Sequence, residues 1–204
     1  TQGVSSAASD VYKRQALPPP QALSFTTGST PMTPPEIDFF PDFIADPHRL
    51  FNHLKDSVLW DERMRARKTA SFGAPYDYSQ ITYPAVPMPE ALEQLCGPIE
   101  QLLGFRPNNC LLNCYPDGQS SMGFHSDANE QLVTGTGVVI VSLGHARAMV
   151  FRHKESGATF DYSLASGSLL HMSDELQKHW LHAIPKAPDA GERISLSFRQ
   201  LKTG

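Results

Sequence analysis

The tripeptide His125-Ser-Asp127 places an imidazole and a carboxylate two residues apart, a spacing that could bind a metal ion. On a β-strand, side chains two residues apart point to the same side, so both groups could reach one cation. A histidine from a distant strand would complete a set of two histidines and one carboxylate. Such a set leaves coordination positions open and suits oxygen chemistry at Fe(II). A His-x-Asp pair alone is weak evidence, because chance pairs are common.

The third ligand would come from the second half of the chain, where most of the histidines lie. The candidates are His145, His153, His171, His179 and His182. Their positions do not choose among them, because a histidine in a core or at a strand end often serves only as a hydrogen-bonding group. His153, within Phe-Arg-His-Lys, is expected to be exposed.

The segment 193–199 (RISLSFR) alternates strictly between polar and apolar residues, as β-strands with two different faces do. The residues on its polar face are Arg193, Ser195, Ser197 and Arg199. Spacing alone leaves two interpretations open. The face is either the solvated side of an edge strand or a pocket in which two arginines bind a small dianion.

Two helices are predicted ahead of these strands. The first covers residues 47–59, because Asp46-Pro47 supplies an N-cap and a proline at the first helical position. Apolar residues follow at helical spacing. The second covers residues 88–103, ends at Gly104, and is expected to kink at Gly97-Pro98.

Short apolar segments separated by turn residues follow from residue 109 to residue 199. This pattern is typical of an all-β sandwich or barrel, so the whole chain is predicted to be α+β. Residues 60–87 are predicted to be irregular. Residues 1–35 have no hydrophobic period and are predicted to be a disordered arm, of which residues 4–15 resemble a translated adapter sequence. The folded domain is therefore expected to cover residues 36–204.

Composition limits the possible functions. A net charge of −4 excludes a strongly electrostatic, non-specific duplex binder across the whole surface. The chain has no apolar run of the roughly 20 residues that span a bilayer, so neither a membrane anchor nor a signal peptide is expected. Three cysteines are too few for a disulfide framework. We therefore expect a reducing compartment, the cytoplasm or, in a eukaryote, the nucleus.

From about Asp38 to Leu201 the chain resembles the AlkB-like Fe(II)/2-oxoglutarate-dependent dioxygenases, enzymes of the nucleic-acid N-demethylase type. Four features in the family's order and spacing carry this resemblance. They are Asn113-Cys-Tyr115, His125-Ser-Asp127, His-Ala-Ile-Pro at 182–185, and Arg193 with Arg199 six positions on. The segments Phe-Arg-His-Lys at 151–154 and RKTASFG at 67–73 resemble the family's nucleotide-contacting elements.

The resemblance implies a double-stranded β-helix (jelly-roll) barrel with the two helices packed on it. It also implies that His182 is the third iron ligand, beside His125 and Asp127. The residues implied to bind 2-oxoglutarate are Asn113, Tyr115, Arg193, Ser195, Ser197 and Arg199. Arg193 would pair with its distal carboxylate, and Arg199 would lie near the carboxylate that chelates iron.

The implied reaction uses O2, with ascorbate as an assisting reductant, and oxidises an N-methyl group on a nucleobase. Its products are succinate, CO2, formaldehyde and the unmethylated base, as in alkylation damage repair. A base inside a duplex cannot reach the iron, so the substrate would be single-stranded or flipped out.

Within residues 60–83 the resemblance favours a lid whose aromatic residues stack on a base and whose basic residues meet phosphates. The aromatic residues are Phe72, Tyr76, Tyr78 and Tyr83; the basic residues are Arg63, Arg65, Arg67 and Lys68. Without the resemblance, a solvated basic loop with tyrosines packed on the barrel would be the simpler interpretation.

Three further residues are candidates for substrate contact. Arg152 and Lys154 would meet phosphates. Asn129 stands where repair members usually carry an acidic residue that contacts the methylated base. An amide favours a cationic base less than a carboxylate does, so the sequence does not assign 1-methyladenine or 3-methylcytosine as the substrate.

Two other function classes remain open. The same oxygenase could act on a protein or a small molecule, or the barrel could be a non-catalytic binding module. The complete ligand set and both arginines argue against the binding module. We expect a monomer that does not bind membranes.

Overall fold

The strands of the second half of the chain form two antiparallel sheets in the computed structural model, which describes residues 37–78, 80–127 and 130–203. The strands are β1 (Asp38–Phe40), β2 (Lys68–Gly73), β3 (Tyr76–Tyr78), β4 (Ile81–Tyr83), β5 (Asn109–Tyr115), β6 (Met122–His125), β7 (Val138–Gly144), β8 (Arg147–His153), β9 (Thr159–Leu164), β10 (Leu169–Met172), β11 (Trp180–Ile184) and β12 (Arg193–Arg199). The helices are α1 (Pro47–Ser57), α2 (Glu90–Leu103) and α3 (Asp174–His179).

Within the described residues, the larger sheet has the order β1-β10-β7-β12-β5-β2 and the smaller sheet the order β6-β11-β8-β9. The strands β3 and β4 form a separate hairpin. Two facing antiparallel sheets with a few helices confirm the predicted α+β jelly-roll class.

The larger sheet has an apolar core on each of its faces. One core lies between the two sheets and includes Leu111 of β5, Ile140 of β7 and Phe151 of β8. The other lies between the larger sheet and the helices, with Leu54 of α1 and Ile99 of α2. The candidate residues of β5 and β12 therefore extend into the first core, while the apolar residues of β12 anchor the sheet to the helices.

The two predicted helices are present at nearly the expected positions. The Asp46 carboxylate accepts a hydrogen bond from the Arg49 backbone N–H at 3.0 Å, which caps α1 as expected. At the end of α2, Gly104 adopts a left-handed φ of 79° and its N–H donates to the Glu100 carbonyl. Pro98 lies inside α2, which continues through it.

Two predictions about local structure are wrong. Residues 60–87 are not irregular, because β2, β3 and β4 lie within them. The short helix α3 precedes β11 in a segment predicted to be only strand and turn; the Ser173 hydroxyl caps it by accepting from the Leu176 N–H. The predicted arm 1–35 lies outside the described residues. The domain boundary at residue 36 stays a prediction. None of the helices in the described ranges is both long and apolar enough to cross a membrane.

Gly73 ends β2 where the chain passes against the backbone of Asn108. Its φ is +87°, and a Cβ atom there would lie 2.0 Å from the Asn108 carbonyl oxygen. We expect Gly73→Ala to lower the free energy of unfolding by about 3 kcal/mol, since a positive φ and a backbone overlap both add strain.

Gly135→Ala is the matched control for that prediction. Gly135 has a similar φ of +84°, and no heavy atom in the described part of the chain lies within 4 Å of the position that an added Cβ would take. Gly135→Ala should lower the free energy of unfolding only by the conformational cost of a positive φ, about 1–2 kcal/mol. Urea unfolding curves measure both values, and equal losses for the two variants would contradict the predicted overlap.

Candidate metal centre and adjoining pockets

The side chains of His125, Asp127 and His182 converge at one end of the smaller sheet. His125 is the last residue of β6, and His182 lies directly opposite it on β11. Asp127 follows just beyond the end of β6, so the expectation that it shares a strand with His125 is wrong. One ligand atom from each residue lies within 4.8 Å of the others. This donor set and spacing fit a single divalent cation.

Electrostatics keep the two most buried ligands in metal-binding form. Burial alone would raise the pKa of Asp127, but the Arg199 guanidinium, with His182 and His125, outweighs it and lowers that pKa to about 2. Burial lowers the pKa of His182 to about 4, although the Asp127 charge opposes this shift. Near neutral pH the carboxylate is therefore ionised and the imidazole neutral, as metal binding requires.

Two side chains hold Asp127 in place. Arg199 donates from Nη2 to its Oδ1 at 2.6 Å, and both side chains of this ion pair are almost fully buried. Gln177 of α3 accepts a hydrogen bond from the Asp127 backbone N–H at 3.2 Å. It also donates to Asp127 Oδ2 at 3.4 Å. Sequence reasoning missed Gln177, and the only available signal was the helix-capping sequence that begins at Ser173.

The polar face of β12 points into a pocket beside the three ligands. This pocket is lined by Asn113, Tyr115, Arg193, Ser195, Ser197 and Arg199, together with the three ligands and apolar residues of both sheets. Because β12 lies between β5 and β7 and is buried along its whole length, the solvated-edge interpretation is wrong. All six residues predicted to bind the co-substrate are thus brought together.

Arg193 indicates which kind of ligand this pocket can bind. Its guanidinium is fully buried, and its Nε donates to the Ser142 hydroxyl at 2.9 Å. Its two terminal nitrogens have no hydrogen-bond partner among the described residues. Burial lowers the pKa of Arg193, with Tyr115 opposing the shift. A buried cation with two free donors fits the carboxylate of a small anion.

Arg67 lies behind Asn113 of this pocket instead of on the surface. It is buried, its Nε donates to the Asn113 Oδ1 at 2.8 Å, and its Nη2 donates to the Tyr78 hydroxyl. Its guanidinium donates to protein groups, and its side chain also lines an outer cleft beside His125 and Asp127, so a substrate contact for Arg67 stays a prediction. It orients the Asn113 amide.

A cleft of about 440 Å³ opens on the outer side of His125 and Asp127. Tyr76 and Tyr78 line it beside His125 and Asp127, and their rings are stacked with centroids 6.2 Å apart and planes 18° apart. The Arg199 guanidinium lies 4.7 Å from the centroid of the Tyr76 ring. The hairpin β3–β4 therefore places two tyrosines beside the cleft, of which Tyr76 is almost fully buried and Tyr78 is half-buried.

The other predicted lid residues lie elsewhere or are already paired. Phe72 packs in the core between the larger sheet and the helices, so a substrate contact for Phe72 is wrong. Tyr83 is buried and hydrogen-bonded to the Thr69 hydroxyl. The basic side chains of Arg63 and Lys68 form ion pairs with Asp61 and Glu62 respectively.

The remaining substrate candidates lie at the outer end of β8. Arg152 is exposed, and its guanidinium lies 4.0 Å from the ring centroid of Phe124, an exposed aromatic next to His125. The Lys154 ammonium donates to the backbone carbonyl oxygen of Gln177 at 2.8 Å. Asn129 lies outside the described residues.

Three of the candidate histidines outside this cluster contact other groups. His171 hydrogen-bonds with Asp38 and with the Thr136 carbonyl oxygen. His153, which is half-buried and not exposed as expected, stacks on His179. His145 is exposed. The pairing of β11 with β6 is what selects His182.

Comparisons with known proteins agree with this geometry. A sequence model of the 2OG-Fe(II) oxygenase superfamily matches residues 47–199. DNA oxidative demethylase ALKBH2 of Homo sapiens is 33% identical over 147 residues, which cover 66% of this chain and 56% of that protein. Alpha-ketoglutarate-dependent dioxygenase alkB homolog 3 of Rattus norvegicus is 28% identical over 213 residues, covering 91% of this chain and 72% of that protein.

A solved structure, that of OsALKBH1, matches with a TM-score of 0.59 and 16% sequence identity. The match covers 83% of this chain and all of that one, and at this identity it shows the fold alone. The chain spans little more than half the length of the mammalian ALKBH2 relatives from Bos taurus and Homo sapiens.

Proposed function

The chain belongs to the 2OG-Fe(II) oxygenase superfamily, and from this premise we propose that it oxidatively removes methyl groups from nucleobases of DNA or RNA. Family membership, together with the ALKBH relatives, confirms the resemblance to AlkB-like dioxygenases. It also confirms the dioxygenase class and the cofactors Fe(II) and 2-oxoglutarate with O2. The nucleic-acid substrate and the role in alkylation damage repair are the proposal.

One set of site residues would bind the metal, and a second set would bind the co-substrate. His125, Asp127 and His182 would hold Fe(II), with Asp127 kept ionised by Arg199. Arg193 would receive the distal carboxylate of 2-oxoglutarate on its two free donors, beside Asn113. Fe(II) with 2-oxoglutarate and O2 supplies the oxidation that turns an N-methyl group into formaldehyde, with succinate and CO2 as co-products.

The observation that carries the proposal is the cleft that opens on His125 and Asp127 beside Tyr76 and Tyr78. A planar base entering this cleft would lie along an aromatic surface and bring its methyl group toward the metal. Stacking of a base on an aromatic side chain contributes about 1–3 kcal/mol. Because only an unstacked base can enter such a cleft, single-stranded or flipped-out nucleic acid is the substrate form that fits.

Charge limits where the nucleic acid would bind. With a net charge of −4, phosphate contacts must be local. Arg63, Lys68 and Arg67 are engaged with protein groups, which leaves the exposed Arg65 and Arg152 as the cations near the cleft best able to meet phosphates. The names of the ALKBH2 relatives, DNA oxidative demethylases, support this substrate class.

The proposal predicts formaldehyde release from methylated oligonucleotides. We expect the purified chain with Fe(II), 2-oxoglutarate and ascorbate to release formaldehyde from single-stranded oligonucleotides carrying N-methyl lesions, and less from the same lesions in duplexes. Unmethylated oligonucleotides of the same sequence are the control, and His125→Ala should release none.

A panel of methylated peptides, assayed for succinate, tests the alternative substrate class. The nucleic-acid proposal would be wrong if no oligonucleotide raised 2-oxoglutarate turnover above the uncoupled background. It would also be wrong if a peptide did so while every oligonucleotide failed.

A further inference from the structure

Gln177 contacts Asp127 at two points, and we propose that Gln177 is a positioning residue that sets the orientation of this ligand and thereby the affinity of the metal centre. The inference rests on the metal centre of the proposed function and does not depend on the substrate. It assigns a role to a residue of α3, a helix that sequence patterns did not predict.

The Gln177 amide is buried and directed toward Asp127. The side chain is 1% exposed, although glutamine usually lies at the surface. Its Oε1 accepts from the Asp127 N–H at 3.2 Å, and its Nε2 donates to Asp127 Oδ2 at 3.4 Å. One side chain therefore fixes both the backbone and the carboxylate of the ligand.

Asp127 needs such support because of its place in the chain. It lies beyond the end of β6, so the strand pairing that holds His125 and His182 does not extend to it. Arg199 engages Oδ1 of the carboxylate, and Gln177 engages Oδ2. Oδ2 is also the oxygen that faces His182 Nε2, at 3.5 Å. The amide thus orients the oxygen best placed to bind the metal.

Gln177 is itself held by contacts on both sides. The Lys154 ammonium, just after β8, donates to its backbone carbonyl oxygen at 2.8 Å. Its Nε2 also lies 3.7 Å from the Met172 sulfur at the end of β10. These contacts fix α3 between two strands, so the amide is presented to Asp127 from a rigid support. Loss of such outer partners of a metal ligand typically weakens metal affinity by about 10–100-fold.

The test measures Mn2+ binding, as a redox-inert probe for Fe(II), to the full chain without 2-oxoglutarate or nucleic acid. Gln177→Met keeps the length and volume of the side chain and removes both hydrogen bonds. We expect its dissociation constant for Mn2+ to rise about 10–100-fold. Lys178→Met is the matched control, because Lys178 is exposed on the same helix and pairs only locally with Glu175; its dissociation constant should stay within about twofold of that of the unaltered chain.

Two measurements separate positioning from a merely structural role. Thermal unfolding of the metal-free variants shows whether each is folded, and the affinity is compared among folded samples. Gln177→Asn is one methylene shorter and cannot reach both contact points, so its affinity for Mn2+ should be intermediate. This variant replaces Gln177→Met in the test if Gln177→Met does not fold.

Folded Gln177→Met that binds Mn2+ within twofold of the unaltered chain would overturn the inference alone. If the unaltered chain failed to bind Mn2+, the metal centre and the proposed function would fall with it. Failure to demethylate oligonucleotides, with Mn2+ affinities as expected, would leave the role of Gln177 standing.

Discussion

Asp127→Asn is expected to abolish succinate formation and metal binding and, in the same step, to destabilise the metal-free chain. An amide is a poor ligand for Fe(II), so the centre loses its anionic donor. The Arg199 guanidinium then loses its buried ion-pair partner. Removing one partner of a buried pair typically costs about 3–5 kcal/mol, because the other charge stays buried and uncompensated.

Succinate release and urea unfolding of the metal-free variant measure the two effects separately. Glu175→Gln is the control, since Glu175 is an exposed carboxylate that pairs with Lys178 and His179 at the surface. It should change the unfolding free energy by no more than about 0.5 kcal/mol and leave turnover intact. Undiminished succinate formation by Asp127→Asn would refute the ligand assignment.

Arg193→Met is expected to have opposite effects on stability and on co-substrate binding. The terminal nitrogens of Arg193 lack hydrogen-bond partners within the described residues, and an unsatisfied buried group costs about 1–3 kcal/mol. Removing the charge should therefore raise the melting temperature of the metal-free chain, by about 2–4 °C for each kcal/mol regained. At the same time 2-oxoglutarate loses its charge-assisted bonds.

Those bonds contribute about 1.5–3 kcal/mol, which corresponds to a rise of roughly 10–150-fold in the dissociation constant for 2-oxoglutarate. Melting curves with and without 2-oxoglutarate, in the presence of Mn2+, check both effects. In Arg106→Met, which removes an exposed arginine paired with Glu93 and Glu100, neither quantity should move appreciably. A variant of Arg193 that melts lower and keeps its affinity for 2-oxoglutarate would contradict the assignment of the pocket.

Local sequence patterns predicted much of the fold because they report features that are decided locally. The cap at Asp46-Pro47 and the left-handed Gly104 set the ends of the helices. The alternation within residues 193–199 predicted which side chains of β12 share a face. It did not predict whether that face was solvated, since this depends on β5 and β7, the strands on either side.

The errors come from contacts between distant parts of the chain. The hydrogen bond of Arg67 joins it to Asn113, 46 residues away, and the basic run around Arg67 did not predict this partner. Phe72 faces the helices because of its position in β2, which was not predicted as a strand. His182 was assigned from the family resemblance, because residue types alone did not contain the register between β11 and β6 that places it opposite His125. Gln177 was missed because a helix of six residues is too short to show a period.

The placement of β12 between two cores links correct folding of the chain to the formation of its site. Ile194, Leu196 and Phe198 pack against the helices, while the polar residues between them face the pocket. A slip of one residue in the pairing of this strand would turn both arginines into the apolar layer and the apolar side chains into the pocket. A molecule with β12 out of register would therefore be both unstable and inactive, because the same strand pairing forms the core and the pocket. Titration with 2-oxoglutarate should count the correctly folded molecules in a preparation.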